Sequence, residues 1–202
     1  MRTSSLLAGL LAGVIGSGLW YAPARGQWSI TAEVGGDRFW GGSVDDTPEH
    51  LSLRPYRPTT FGVGLERRAG RLGAGLKLRY ASSSLALEGD EAVAVVKGIF
   101  TVYSAAPELA YRLLLAGSAN ELILHAGPLF EIWSVEDEDS QTRVGIQGAA
   151  SFHVPIGGRF AGSLTAGAAV MPSPFAAEQL AVGFERRALW RRRVAVGLAY
   201  RL

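Results

Sequence analysis

The strongest constraint on this chain is a two-residue hydrophobic period that recurs over most of its length. A period of two sends alternate side chains to opposite faces of an extended strand, whereas a helix needs a period near 3.6. From 60 to 66, Phe61, Val63 and Leu65 alternate with Thr60, Gly62, Gly64 and Glu66. From 143 to 156, Val144, Ile146, Phe152, Val154 and Ile156 alternate with Arg143, Gly145, Gln147, Ser151 and His153. The same pattern covers 28–36, 74–80, 99–113, 121–132, 159–170 and the final residues 193–202, which makes eight strands.

Short connections near 67–73, 114–120 and 156–159 alternate with long, polar or proline-bearing ones near 44–58, 87–97, 135–142 and 171–189. Short turns at one end and long loops at the other predict an antiparallel up-and-down sheet. The stretch 178–187, "EQLAVGFERR", also alternates. It reads as part of the last long loop, a hairpin extending beyond the sheet. As a ninth strand it would leave the two termini on opposite sides.

Alternation alone does not say which face is wet. A soluble barrel buries its apolar face inside, and a membrane barrel does the reverse. Here the polar face is mostly Gly, Ala and Ser with single charges between them, and glycine totals 26 residues. Small residues suit a narrow interior. The other face carries Leu, Val, Ile and Phe, with Trp28, Tyr80, Tyr103, Tyr111, Phe152, Phe160 and Tyr200 toward strand ends. Aromatic rings favour the boundary between hydrocarbon and water and form girdles there. Open backbone groups are not tolerated in lipid, so the sheet must close on itself. The expected fold is all-β, an eight-stranded antiparallel up-and-down transmembrane β-barrel. A soluble, lipocalin-like barrel is the rival, and it requires Val144, Ile146 and Phe152 to point inward.

The N-terminus is a separate object. One Arg precedes an apolar run from Leu6 to Tyr21, and "APA" follows at 22–24. That order is the order of a secretory signal peptide. The run contains four glycines and falls short of the ~20 apolar residues of a spanning helix. Residues 1–24 are therefore expected to be removed, with Gly26 as a second possible site, and 25–202 to form the barrel.

The last nine residues, "VAVGLAYRL", place Val194, Val196, Leu198, Tyr200 and Leu202 on one face. This stretch resembles the C-terminal assembly signal of bacterial outer-membrane β-barrels, in which alternating apolar residues end on an aromatic one. Leu202 stands where Phe or Trp is usual. By pattern and length the barrel region is similar to the small OmpA/OmpX-type barrels. The resemblance implies an outer-membrane location in a Gram-negative cell envelope, handling by the barrel-assembly machinery, and contact with outer-membrane lipid and lipopolysaccharide. It also implies a monomer that uses no cofactor, and a last strand that pairs with the first.

The inward face gathers Glu33, Asp37, Glu66, Lys77, Arg79, Glu108, Arg112, His125, Glu131, Arg143, His153, Arg193 and Arg201. Eight strands enclose a space just wide enough for side chains to fill. Charges there must pair, because an isolated buried charge is costly. Hairpin geometry suggests Glu66 with Lys77, Glu131 with Arg143, and Glu108 and Arg112 beside Glu121 and His125; closure of the barrel suggests Glu33 with Arg201. Such a network can simply fill and rigidify the lumen, or line a narrow, porin-like channel for ions or small solutes.

Catalytic and metal chemistry find little support. There is no cysteine, which excludes disulfides and thiolate metal sites. The histidines are His50, His125 and His153. Some small outer-membrane barrels modify lipids with a His, a Ser and an acid, but Ser151 and His153 share the inward face, away from lipid, and the His-x-Ser order is absent. The acidic run at 136–139 lacks the spacing of an EF-hand and reads as a solvated loop tip. The glycine-rich 62–75 has no Gly-Lys-Ser/Thr and no following helix, so it is a turn between strands. "RRALWRRR" (186–193) reads as an outer-loop segment able to meet lipopolysaccharide phosphates. The positive charges form no face for nucleic acid. No catalytic and no metal residue is assigned.

Overall fold

The computed structural model describes residues 27–45, 52–88, 93–114, 119–135, 140–173 and 184–202. The expected signal segment at 1–24, His50, the acidic run at 136–139 and residues 178–183 of the alternating stretch lie outside the described residues. Eight strands form one closed antiparallel barrel: β1 (Gln27–Asp45), β2 (Ser52–Ala69), β3 (Leu72–Glu88), β4 (Val93–Leu114), β5 (Glu121–Val135), β6 (Gln141–Gly157), β7 (Phe160–Met171) and β8 (Phe184–Arg201). Each pairs with its neighbours in sequence, and β1 closes on β8 from Ser29 opposite Arg201 to Asp45 opposite Phe184. The final strand therefore has partners on both edges, and no open edge faces lipid.

At one end the turns are tight. Ala69 faces Leu72 across Gly70 and Arg71, and Gly157 faces Phe160 across Gly158 and Arg159. Gly70 (φ +64°) and Gly158 (φ +54°) supply the left-handed conformation that two-residue hairpins need. This is the turn end; the opposite end is the loop end.

The strands run further toward the loop end than the hydrophobic period indicated. β2 starts at Ser52 rather than 60, β4 at Val93 rather than 99, and β1 continues to Asp45. The expected loops at 44–58, 87–97, 135–142 and 171–189 shrink accordingly, and 184–187 are the first residues of β8 instead of loop. They pair with β1 rather than forming a ninth strand of their own. The physical reason lies in the register. It slips between Gly36 and Ser43, between Tyr56 and Thr59, and between Ser83 and Leu85. Gly41 (φ +79°) and Arg57 (φ +38°) mark two of these bulges. A bulge inserts an extra residue, so inside–outside parity is lost beyond it while the backbone ladder continues.

Between the bulges and the turn end the apolar face points outward. Phe61 is 55% exposed, Ile146 66% and Val194 58%. Val144 and Ile146 both face outward, which overturns the soluble, lipocalin-like alternative. An apolar surface this continuous needs hydrocarbon around it.

The inward face is built for close approach. A Cβ added at Gly127 would sit 2.1 Å from the carbonyl oxygen of Pro107 and 3.0 Å from Cα of Glu108. The β4–β5 ladder is interrupted here, between the pairs Ala105–Phe130 and Leu109–Ala126. Pro107 and Pro128 fall in that gap, and neither has an N–H for the ladder. Gly127→Ala is expected to destabilise the barrel by about 1–3 kcal/mol. Gly36→Ala, where nothing lies within 4 Å, should change stability by less than about 0.5 kcal/mol. Denaturant midpoints of the refolded barrels would show the difference, and equal midpoints would contradict the close approach.

Candidate functional site in the barrel lumen

Six carboxylate side chains point into the lumen: Glu33, Asp37, Glu66, Glu108, Glu121 and Glu131. They meet the inward cations in three tiers. At the turn end Glu121 collects three arginines: Arg112 at 3.1 Å, Arg68 at 3.3 Å and Arg201 at 3.3 Å. Arg68 also donates to Glu66 through Nε (2.9 Å) and Nη2 (2.6 Å). In the middle, Glu108 lies 3.0 Å from His125 Nδ1, 3.4 Å from Lys77 and 4.0 Å from Arg79. Glu33 accepts from Arg193 at 2.9 Å and from Arg79 at 3.5 Å, and Arg79 reaches across to Gln147 at 2.8 Å. Toward the loop end, Glu131 accepts from Arg191 (2.5 Å), Ser104 (2.9 Å) and the Trp133 indole N–H (3.1 Å). Asp37 accepts from Thr60 at 2.8 Å and lies 3.9 Å from Arg193 and 4.0 Å from Arg191.

Several of the expected partners differ. Lys77 pairs with Glu108 instead of Glu66, which holds Arg68. Glu33 takes Arg193 and Arg79, and Arg201 goes to Glu121. Glu131 is held by Arg191, and Arg143 donates to the Ser173 carbonyl (2.7 Å), the Thr142 carbonyl and the Gln141 side chain. The expectations considered only neighbouring strands, joined by a hairpin or by closure of the barrel. A narrow lumen lets long side chains cross it, so β1 meets β3 and β5 meets β8. The contacts of Glu108 with His125 and of Arg112 with Glu121 are as the hairpin geometry indicated.

Sequence reasoning also missed residues. The composition of 186–193 indicates an outer loop, whereas Arg191 is buried in the lumen on β8. Its two-residue spacing from Arg193 was the available signal. Toward the loop end the lumen also holds an apolar layer that the hydrophobic period does not indicate. Phe39, Val102, Leu129, Trp133, Met171 and Leu189 are all inward and buried. Phe39 and Trp133 meet edge to face with centroids 5.9 Å apart, and the Arg191 guanidinium lies 5.8 Å from the Phe39 ring. Below that layer, the space among Glu66, Lys77, Glu108, His125, Ser151 and His153 amounts to about 30 Å³, on the scale of one water molecule.

Ser151 is buried, and its hydroxyl pairs with Thr165 Oγ1 at 2.8 Å. On the outside, Tyr80 and Tyr103 pack together at 5.4 Å on the loop-end side of the apolar belt, and Phe160 and Tyr200 at 4.9 Å on the turn-end side. Trp28 (beneath Arg67 at 5.7 Å) and Tyr111 are exposed at the turn end, and Phe152 is half-buried. Trp40 and Trp190, which the sequence reading left out, stack at 6.3 Å at the loop end. Val194, Val196, Leu198 and Leu202 lie outward and exposed on β8 and its end.

A closed eight-stranded barrel with an apolar outside and a charged, side-chain-filled inside is the architecture of small transmembrane β-barrels. Solved structures agree. The outer membrane protein OprG from Pseudomonas aeruginosa aligns with a TM-score of 0.59 at 13% identity, over 88% of this chain and 96% of that one. Neisserial surface protein A (NspA) aligns with a TM-score of 0.55 at 12% identity, over 86% of this chain and 96% of that one. At these identities the likeness is one of fold. The sequence matches no protein-family model and no curated protein.

Proposed function

We propose that this protein is a structural or surface-interaction barrel of the outer membrane, whose lumen is sealed by paired charges and an apolar layer. The observation that carries this reading is the filling of the lumen. Three tiers of ion pairs span it, and buried Phe39, Leu129, Trp133, Met171 and Leu189 lie across the loop end. A conducting pore needs a continuous wet path, and the ion pairs and buried apolar side chains stand across it. Lipid chemistry is disfavoured on the same ground. Ser151 is enclosed and hydrogen-bonded away from lipid, while a hydrolytic nucleophile must reach its substrate.

In this reading, residues 1–24 direct export and the pattern Val194, Val196, Leu198, Tyr200 and Leu202 is read by the barrel-assembly machinery. The aromatic girdle seats the barrel among outer-membrane lipid and lipopolysaccharide as a monomer, and the loops form the surface that meets other molecules.

Planar-bilayer recording tests the sealed lumen. Purified, refolded protein is expected to give no discrete conductance steps above the bare bilayer. Reproducible single-channel steps from the wild-type barrel would overturn the structural reading in favour of a narrow channel.

A further inference from the structure

Among the residues whose side-chain exposure is described, the charged side chains on the outer surface are arginines. Glu33, Asp37, Glu66, Glu108, Glu121 and Glu131 face the lumen, while Arg38, Arg57, Arg71, Arg159, Arg187 and Arg192 are exposed. Two of these arginines stand directly opposite each other. Across the β1–β8 seam Arg38 faces Arg192, and Trp40 faces Trp190 one same-face step further toward the loop end. Directly opposed side chains on one face of an antiparallel pair have Cβ atoms about 4.5–5.5 Å apart, and like charges so placed repel. Arg38 has no ion-pair or hydrogen-bond partner among the described residues. Arg192 lies over the Trp40 ring at 4.8 Å, and Trp40 stacks on Trp190 with the ring planes 12° apart. Trp40 thus holds the Arg192 guanidinium on the β1 side of the seam, the strand that carries Arg38, at the upper edge of the apolar belt. Immediately below, Val34, Val194 and Val196 form an exposed apolar wall on the same two strands.

Two facing guanidiniums above an apolar wall match an anionic head with hydrocarbon chains beneath it. Guanidiniums bind phosphate oxygens through paired, charge-assisted hydrogen bonds. We propose that Arg38 and Arg192, oriented by Trp40 and Trp190, bind a phosphate of the glycolipid in the loop-end leaflet, which in an outer membrane is lipopolysaccharide. The bound phosphate relieves the repulsion between the two arginines, and the acyl chains lie along Val34, Val194 and Val196. This assigns a residue-level site to the lipopolysaccharide contact proposed above and rests on that reading.

The test is native mass spectrometry of the full refolded barrel titrated with lipid A, with dephosphorylated lipid A and with phosphatidylglycerol. Wild type, Arg38→Gln/Arg192→Gln and Arg159→Gln at the turn end are compared, and a shift in gel mobility on boiling verifies that each barrel is closed. The wild type is expected to hold lipid A about tenfold or more above its dephosphorylated form, the double variant to lose that preference, and Arg159→Gln to keep it. Three results would overturn the site. Equal binding of the two lipid A forms by wild type would remove the lipopolysaccharide reading as well. Unchanged preference in the double variant would leave that reading intact and place the contact elsewhere. Tighter binding of phosphatidylglycerol than of lipid A, lost in the double variant, would replace the glycolipid with a phospholipid.

Discussion

Glu131→Ala is expected to cost the barrel about 3–5 kcal/mol, the range for removing one partner of a buried ion pair. Glu131 is 1% exposed and serves three donors at once: Arg191, Ser104 and the Trp133 indole. Its loss leaves a buried guanidinium whose nearest other described carboxylate, Asp37, is 4.0 Å away. It also strips two further donors of their acceptor. Glu131→Gln keeps the volume and one acceptor oxygen, so it should fall between wild type and the Ala variant. The double variant Glu131→Leu/Arg191→Leu should recover most of the loss, because an apolar replacement of both partners removes the unpaired charge. The change would join the buried apolar cluster of Phe39, Leu129, Trp133 and Leu189, in which Leu129 and Trp133 flank position 131 on its own strand face. Equilibrium unfolding of the refolded barrels in guanidinium measures all of these. A loss below about 1 kcal/mol for Glu131→Ala would mean that the lumen at this level is wet and the pair screened.

How far the sequence reveals this structure depends on height along the barrel. Within the lipid belt a single rule applies, apolar out and small or polar in, so the period of two in 60–66 or 143–156 reports both the strand and its faces. Past the loop-end girdle the rule reverses. Leu189, Trp133 and Phe39 turn inward, and Trp190, Arg192 and Arg38 outward. The segment "RRALWRRR" thus carries a strand whose inside is apolar and whose outside is cationic, and by composition it looks like a loop. Bulges compound the difficulty, as at Arg57, where one extra residue on β2 leaves the adjacent Tyr56 and Arg57 both exposed.

The charged site was legible in membership and much less so in connectivity. Alternation sends Glu33, Glu108, His125 and Glu131 to the lumen with no knowledge of the three-dimensional structure. Pairing depends on how far a side chain can cross the barrel and on the stagger between strands. Glu33 and Arg79 are separated by a whole strand, and Glu131 and Arg191 by two, counted around the sheet through β6 and β7. A closed, sheared sheet brings such positions to one height. That stagger is a property of the complete ring, so local spacing cannot supply it.

Val196→Arg provides the sharpest test of which face meets lipid. Val196 is 56% exposed and lies on β8 between Arg192 and Trp190 on one side and Tyr200 on the other. Its neighbours across the ladder are Val34 on β1 and Leu164 on β7, both exposed and apolar. About 9–11 residues of a tilted strand cross the hydrocarbon, so a residue near the centre of this span sits near the midplane. An arginine there is expected to cost about 2–4 kcal/mol in a lipid bilayer. Ser82→Arg, on the exposed face of β3 just beyond Tyr80, should cost only about 0–1 kcal/mol, because the penalty falls toward the interface. Refolding titrations in vesicles give both numbers. On a water-facing surface the two arginines would be equally harmless, so similar stabilities for the two variants would place this face in solvent. A large gap would locate the bilayer centre at the level of Val34, Leu164 and Val196. The guanidiniums of Arg38 and Arg192 would then lie at the height of lipid phosphates, where their charge is well tolerated.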